Sequence, residues 1–255
     1  MPTVPFESSW IGNSTGHRTM FKTDIAKVGL TVALATVSTF AAYLGYKDYK
    51  AWMSLGPGGL PHNFVGYLTT SSMKLFAIRY PRDFRSVSGN SQAVAKYLSP
   101  DDIPYRNGDY PVIAPWPVPN RVLNQIAPQE FKIEVHQTIY SIKDIVLANG
   151  KRLPMKVARS FLEKHNDALF AGEILVECEV AHQHPVDGSF HVNLHPSDAR
   201  LLIERRWGEL HPFSGKVKAI PAGYMLIYPP RNQLELKLVN ECIQASVQYL
   251  ADTQS

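Results

Sequence analysis

Five of the chain's nine histidines fall between residues 181 and 215: His182, His184, His191, His195 and His211. Imidazole changes charge near neutral pH and is the commonest ligand of zinc, copper and iron, so such a cluster can move protons or hold a metal. His182 and His184 stand two apart and would share one face of a strand. His191 and His195 share a face of a following strand, with Asn193 between them. Pro185-Val186-Asp187-Gly188 reads as a turn that sets the two strands antiparallel. The histidines then meet on neighbouring strands, and His211 can reach the same face.

Three kinds of role compete for this cluster. One is a metal site, although no HExxH is present and no His-x-Asp/Glu with a distant His. One is acid–base chemistry, because burial and like charge keep an imidazole neutral near pH 7. The third is structural: histidines bonded to turn backbones, with His-Pro units ending strands. Asp187 and Glu209 are the nearest carboxylates in sequence, and either could orient an imidazole or cap a turn. There is no GxSxG, Walker loop or GxGxxG. Cys178 and Cys242 make no CxxC and read as small core residues.

The elements that must position these groups are mixed. Alternation predicts strands over residues 174–180, 190–194 and 224–228. Helices are predicted over 157–165 and from Pro196-Ser197 to Arg206, with Ser197 as N-cap. Residues 130–147 fit helical and alternating patterns equally. Prolines 111, 115, 117 and 119 around Trp116 forbid a helix and suit an extended segment or sheet edge. The last element is the clearest. Asn232 with Glu235 resembles a capping box, and Leu236, Val239, Ile243, Val247 and Leu250 form one apolar stripe. The class is α+β: a single mixed domain with a small antiparallel sheet and a long C-terminal helix, over residues 91–255.

Upstream, residues 28–46 carry no charge. At about 1.5 Å per residue they span roughly 28 Å as a helix, near the thickness of a bilayer's hydrocarbon core. Lysines flank both ends, and Tyr43, Tyr46, Tyr49 and Trp52 would sit in an aromatic belt. The expectation is a disordered tail over 1–21, a single transmembrane anchor over 22–53 and a hinge over 54–90. Residues 64–78 in that hinge suit a surface-lying helix or a core helix equally. The setting is then a membrane, with the endoplasmic reticulum or another endomembrane as its place and membrane lipid as a partner. Hydrophobic residues make up 45% of the 255 and charged ones 19%, which excludes a disordered chain and a polytopic membrane protein. A net charge of +4, scattered along the chain, does not suit nucleic-acid binding.

The segments AHQHPVDGSFHVNL, RWGELHPFSG and YMLIYPPRNQLEL resemble the luciferase family of bioluminescent fungi, as does LGPGGLPHNFVGYL after the anchor. His182, His184, His191, Trp207, Gly208, His211, Pro212, Gly215, Tyr228, Pro230, Arg231 and Asn232 match its pattern. His195 has no counterpart, and Phe213-Ser214 stands where the family has Leu-Ala. The resemblance implies a cofactor-independent reaction with O2 as co-substrate. In the light-emitting members a 3-hydroxy-α-pyrone, 3-hydroxyhispidin, gains O2 and loses CO2. On that basis His182 or His184 is the base, and His191 or His211 donates to the developing oxyanion. Arg231, Trp207, Tyr228 and Asp187 are the substrate-binding candidates. The substrate is a small, apolar aromatic, as a luciferase or a non-luminous secondary-metabolite enzyme would use. The other class of function is a non-catalytic membrane protein whose histidines bind a metal or small ligand.

Overall fold

The computed structural model describes residues 14–85, 94–147, 149–160, 166–172 and 175–253. Contacts divide the chain into two units, Met1–Ala51 and Trp52–Ser255. The first is the body of one helix, α1 (Ser14–Met53), whose last two residues belong to the second unit. Within α1, Ile25–Met53 is long and apolar enough to cross a membrane, and its apolar window is unburied. Ile25, Val32, Phe40 and Tyr46 are each more than half exposed, which is unfavourable in water. Length and composition alone fit a membrane span and a signal sequence alike. The helix begins at Ser14, inside the stretch expected as a tail; residues 1–13 lie outside the described residues.

The second unit is built on a sheet of seven strands among the described residues, more than the small sheet expected. They are β1 (Asp144–Val146), β2 (Arg152–Arg159), β3 (Asp167–Ala171), β4 (Glu179–Gln183), β5 (Phe190–Asn193), β6 (Gly208–Leu210) and β7 (Tyr224–Ile227). Their spatial order is β1-β2-β3-β4-β5-β7-β6, and every pair is antiparallel. Among the described residues the other helices are α2 (Phe64–Met73), α3 (Gln129–Ser141), α4 (Pro196–Glu204) and α5 (Gln233–Thr253).

One face of the sheet packs on α5. Phe190, Val192, Met225 and Ile227 meet Leu236, Val239 and Ile243 in the main core. Each such buried side chain contributes roughly 1.5–3 kcal/mol. The predicted stripe of α5 is buried along its length. The Ser246 hydroxyl reaches over to the Val180 and Asn193 carbonyls, tying α5 to β4 and β5. At the N-terminus of α5, Asn232 Oδ1 accepts the Glu235 N–H at 3.0 Å. Glu235 answers at the Arg231 N–H rather than at Asn232's own, a displaced form of the predicted capping box.

Several expectations change. The helix predicted over 157–165 does not form: β2 runs through Arg159 and pairs with β3 from Met155↔Ala171 to Arg159↔Asp167. Long-range ladder bonds override a local helical spacing there; residues 161–165 lie outside the described residues. The ambiguous stretch 130–147 is both things in turn, α3 and then β1. The strand expected over 174–180 starts only at Glu179, after a single 3-10 turn at Val176–Cys178, and residue 174 lies outside the described residues. The cap of α4 is His195, not Ser197: its Nδ1 accepts from the Ser197 hydroxyl at 2.7 Å and from its N–H at 3.3 Å. Cys242 is buried as expected, whereas Cys178 is only half-buried.

The stretch expected as a hinge is a packed part of the second unit. The Trp52 indole donates to the Val118 carbonyl, the Ile78 N–H donates to Pro212, and Arg82 pairs with Glu209 at 2.8 Å. Within the stretch 64–78 the helix α2 covers only Phe64–Met73; it buries Gly66 and Thr70 and exposes Phe64, Val65 and Leu68. Residues 86–93 lie outside the described residues. The proline-rich stretch is extended, as expected, and pairs with itself through the bridge Ile113↔Val122.

Candidate functional site

The second face of the sheet carries the histidines. His182 pairs with His191 across β4 and β5, and His191 pairs with Leu226 of β7. Partners across a ladder share a face, so His182, His184, His191 and Tyr224 all turn away from the α5 core. The hairpin is closed as predicted, by His184 N–H to Ser189 O at 2.8 Å and Gly188 N–H to His184 O at 2.9 Å. Gly188 has φ +81°, and an added Cβ would lie 2.6 Å from that of Ala127, so glycine is required at this turn. His211 follows β6, and its N–H donates to the Tyr224 carbonyl.

The rings form a contiguous group. His182, His184 and His191 have centroids 4.8 to 5.3 Å apart, and His211 lies 5.1 Å from His191. Tyr224 stacks on His191 at 5.2 Å. All four histidines are buried. His195 is not among them; it caps α4 and packs edge-on to Tyr97 and Tyr249.

Hydrogen bonding sets the tautomers. His182 Nδ1–H donates to Glu179 Oε1 at 2.6 Å. His184 Nδ1–H donates to Ser189 Oγ at 2.8 Å, and that hydroxyl donates to Asp187 Oδ1 at 2.6 Å. His191 Nδ1–H donates to the Met225 carbonyl at 3.3 Å. In each neutral ring the lone pair is therefore on Nε2. Nε2 of His182 and of His184 has no hydrogen-bond partner. His211 is the reverse: its Nδ1 accepts the Phe213 N–H at 3.2 Å, which leaves Nε2 protonated as a donor.

Electrostatics agree with neutral rings for His184, His191 and His211. Burial, then Arg121 and the other imidazoles, holds His184 well below its usual value. Burial and the neighbouring histidines do the same for His191. Burial and His182 lower His211 to about 3. Glu179 goes the other way for a buried acid. Burial pushes its carboxyl up, but His182 and the donors His182, Tyr224 and Ser160 outweigh this and hold it below the usual range. Burial raises the Asp187 carboxyl against the pull of Arg121, Ser189 and Val122.

An apolar cavity of about 210 Å³ opens beside the cluster. His191 and His211 form one wall. Met73, Pro117, Val118, Asn120, Phe213, Val217 and Ile220 form the rest. The cluster is covered by the proline-rich stretch, pinned where the Val122 N–H donates to Asp187 Oδ2 at 3.0 Å and the Ala127 N–H to the Asp187 carbonyl.

The structure thus brings together His182, His184, His191 and His211, sets Asp187 behind His184, and leaves Trp207, Tyr228 and Arg231 elsewhere. Asp187 is spent on Ser189 and Val122 and acts on His184 through the serine. Tyr228 donates to Glu209, which also pairs with Arg82. Glu209 therefore orients no imidazole. Trp207 donates to the Pro104 carbonyl, and Arg231 pairs with Glu235 and donates to Asn107 O. Trp207 and Arg231 line a different cavity, of about 420 Å³, with Arg106 and Glu235.

Sequence reasoning missed Glu179. It lies three residues from His182, which on a regular strand means opposite faces. The pairing steps from Leu169↔Ala181 to Phe170↔Glu179, so β4 holds one extra residue and Glu179 comes round to the histidine. The only signal was a carboxylate beside the cluster at the wrong parity.

One ring nitrogen from each of His182, His184 and His191 lies within 4.8 Å of the other two, the donor set of an open metal site.

Residues 177–246 match the family model of the luciferase domain, a span that contains every histidine of the cluster and Glu179. Over 243 residues the chain is 24% identical to the luciferase of Neonothopanus nambi, covering 88% of each chain. It is 27% identical to the luciferase of Armillaria gallica over 241 residues and 26% to that of Armillaria ostoyae, covering 86% of each. No solved structure matches.

Proposed function

We propose, from the match of residues 177–246 to the luciferase domain and the similarity of the chain to fungal luciferases, that it is a membrane-anchored oxygenase. It adds O2 to an electron-rich hydroxypyrone or phenol, with loss of CO2 where the product permits. The observation that carries this is a buried four-histidine cluster, inside the matched domain, two of whose members, His191 and His211, line an apolar cavity.

The residues suit an enol substrate. A flat apolar ring is accommodated by Val118, Phe213 and Ile220. His182 Nε2 accepts the enol proton, and the Glu179 carboxylate behind Nδ1 stabilises the imidazolium formed. The resulting enolate is rich enough to reduce O2. His211 Nε2–H donates to the developing oxyanion, a preorganised donor in a dry site. Ile25–Met53 is the anchor in this reading, and an apolar substrate concentrates in the same bilayer.

The test is oxygen consumption by the purified full chain with 3-hydroxyhispidin and a panel of hydroxypyrones and catechols, with CO2 and light recorded together. The expected result is oxygen uptake with at least one hydroxypyrone, abolished in His182→Ala. The absence of uptake with every member of the panel overturns the reading.

A further inference from the structure

Proton transfer from an enol needs one lone pair, and the cluster offers three. His182, His184 and His191 come from two adjacent strands and share one tautomer. Each spends Nδ1–H on a fixed acceptor: Glu179, the Ser189–Asp187 relay and the Met225 carbonyl. Two of the Nε2 atoms are buried without any partner. A buried acceptor without a donor costs about 1–3 kcal/mol, and this site carries at least two side by side. A donor or a cation would complete them.

We infer that His182, His184 and His191 form a binding site for a single divalent first-row transition ion, held through their Nε2 atoms. Imidazole suits zinc, iron, copper and nickel, and three protein ligands leave open positions, as catalytic rather than structural sites do. The Nδ1 partners are those that fix ligand rings in metal sites, where a carboxylate or carbonyl holds each tautomer. Glu179 and Asp187 place carboxylates around an ion whose direct ligands are all neutral. Ring nitrogens up to 4.8 Å apart must close by up to about 1.5 Å to meet bonds of about 2.0–2.1 Å in a tetrahedral site. His211 is left out because its Nδ1 accepts from Phe213 and its Nε2 carries a proton. It stands beside the open position as a donor.

The inference rests on the location proposed for the reaction centre and deepens it. With an ion bound, His182 would be a ligand rather than the base, and the ion would supply Lewis acidity that lets the enol lose its proton to solvent.

The experiment uses the full chain, expressed without a histidine tag and purified in detergent. Elemental analysis should find close to one equivalent of one transition metal. After chelation, Co2+ should bind at about one equivalent and give the visible d–d bands of a cobalt–imidazole site. His184→Gln and His191→Gln should weaken Co2+ binding by ~100-fold, and Glu179→Gln by ~10–100-fold. His195→Ala should bind as the unmodified chain does. The inference is overturned if the stripped chain, folded by circular dichroism, binds neither Co2+ nor Zn2+ at micromolar concentration, or if the two glutamine variants bind undiminished. Binding one ion without any oxygen uptake keeps this site and removes the oxygenase reading; oxygen uptake with no ion bound does the reverse.

Discussion

Nδ1 of His182 and Oε1 of Glu179 lie 2.6 Å apart, with both side chains wholly buried. Glu179 also accepts from the Tyr224 hydroxyl at 2.7 Å and from Ser160 at 2.9 Å, so one carboxylate organises three donors. Glu179→Gln keeps an oxygen acceptor but removes the charge that supports a protonated or metal-bound His182. Oxygen uptake should fall by ~10–100-fold with the circular dichroism spectrum preserved. Glu179→Ala removes the acceptor of all three donors and should also cost about 1–3 kcal/mol for each donor left unmet, read in a denaturant titration. Full activity in Glu179→Gln would remove the carboxylate from the mechanism.

Acid should destabilise the metal-stripped protein. Burial, with neighbouring charges, keeps His184 and His191 well below their usual values, and His211 at about 3. In the unfolded chain each takes up a proton near pH 6.5. Between those limits the unfolded state binds more protons, so stability falls as pH falls, by about 1.4 kcal/mol per unit for each histidine that stays neutral. Glu179, lowered in the folded state, acts in the same direction below about pH 4.5. Asp187, raised by burial, opposes it there. Tm should drop steadily from pH 7 to pH 5 in the stripped chain, and the slope should lessen in His184→Gln. A flat Tm over that window contradicts neutral buried imidazoles.

Much of this face is legible in the amino-acid sequence, because it depends on local rules. The two-residue spacing of His182 and His184, the turn at residues 185–188 and the return strand through His191 place three imidazoles together without knowledge of the rest. The stripe of α5 is legible for the same reason. What is not legible depends on distant partners or on broken periodicity. β1, β2 and β6 are short or open to solvent, and pair only because the sheet exists. Glu179 reaches His182 only through a bulge. Trp207 and Arg231 match the family pattern as the histidines do, yet their bonds go to Pro104, Asn107 and Glu235. A motif match cannot separate residues that hold the fold from those that face the cavity.

The cavity gives a prediction independent of proton or metal chemistry. Val217 lies at its partly open wall, near half exposed, so a larger side chain there can be tolerated by the fold. Val217→Trp should place an indole in a space of about 210 Å³ next to His211 and Phe213. KM for a hydroxypyrone should rise ~10-fold or more, with Tm within a few degrees and Co2+ binding unchanged. An unchanged KM would mean that the substrate enters elsewhere, with the Trp207–Arg231 cavity the next place to look.

The last prediction concerns α1. Its apolar stretch ends where Trp52 and Met53 join the second unit: the Trp52 indole donates to Val118, and the Met53 carbonyl is bonded to His62 at 2.8 Å. The helix end is therefore part of the fold, while residues before it bury nothing within the apolar window. Deleting residues 1–50 should move the protein from a carbonate-washed membrane pellet to the soluble fraction with Co2+ binding and oxygen uptake retained. Trp52→Ala, which leaves the apolar stretch intact, should instead cost about 3–5 kcal/mol of stability without changing the fraction. N-terminal sequencing of the mature chain separates an anchor from a signal sequence, because cleavage within residues 28–46 would remove the membrane-spanning length. A full-length chain, uncleaved and recovered in the soluble fraction, would contradict the anchor and leave α1 to be covered by protein.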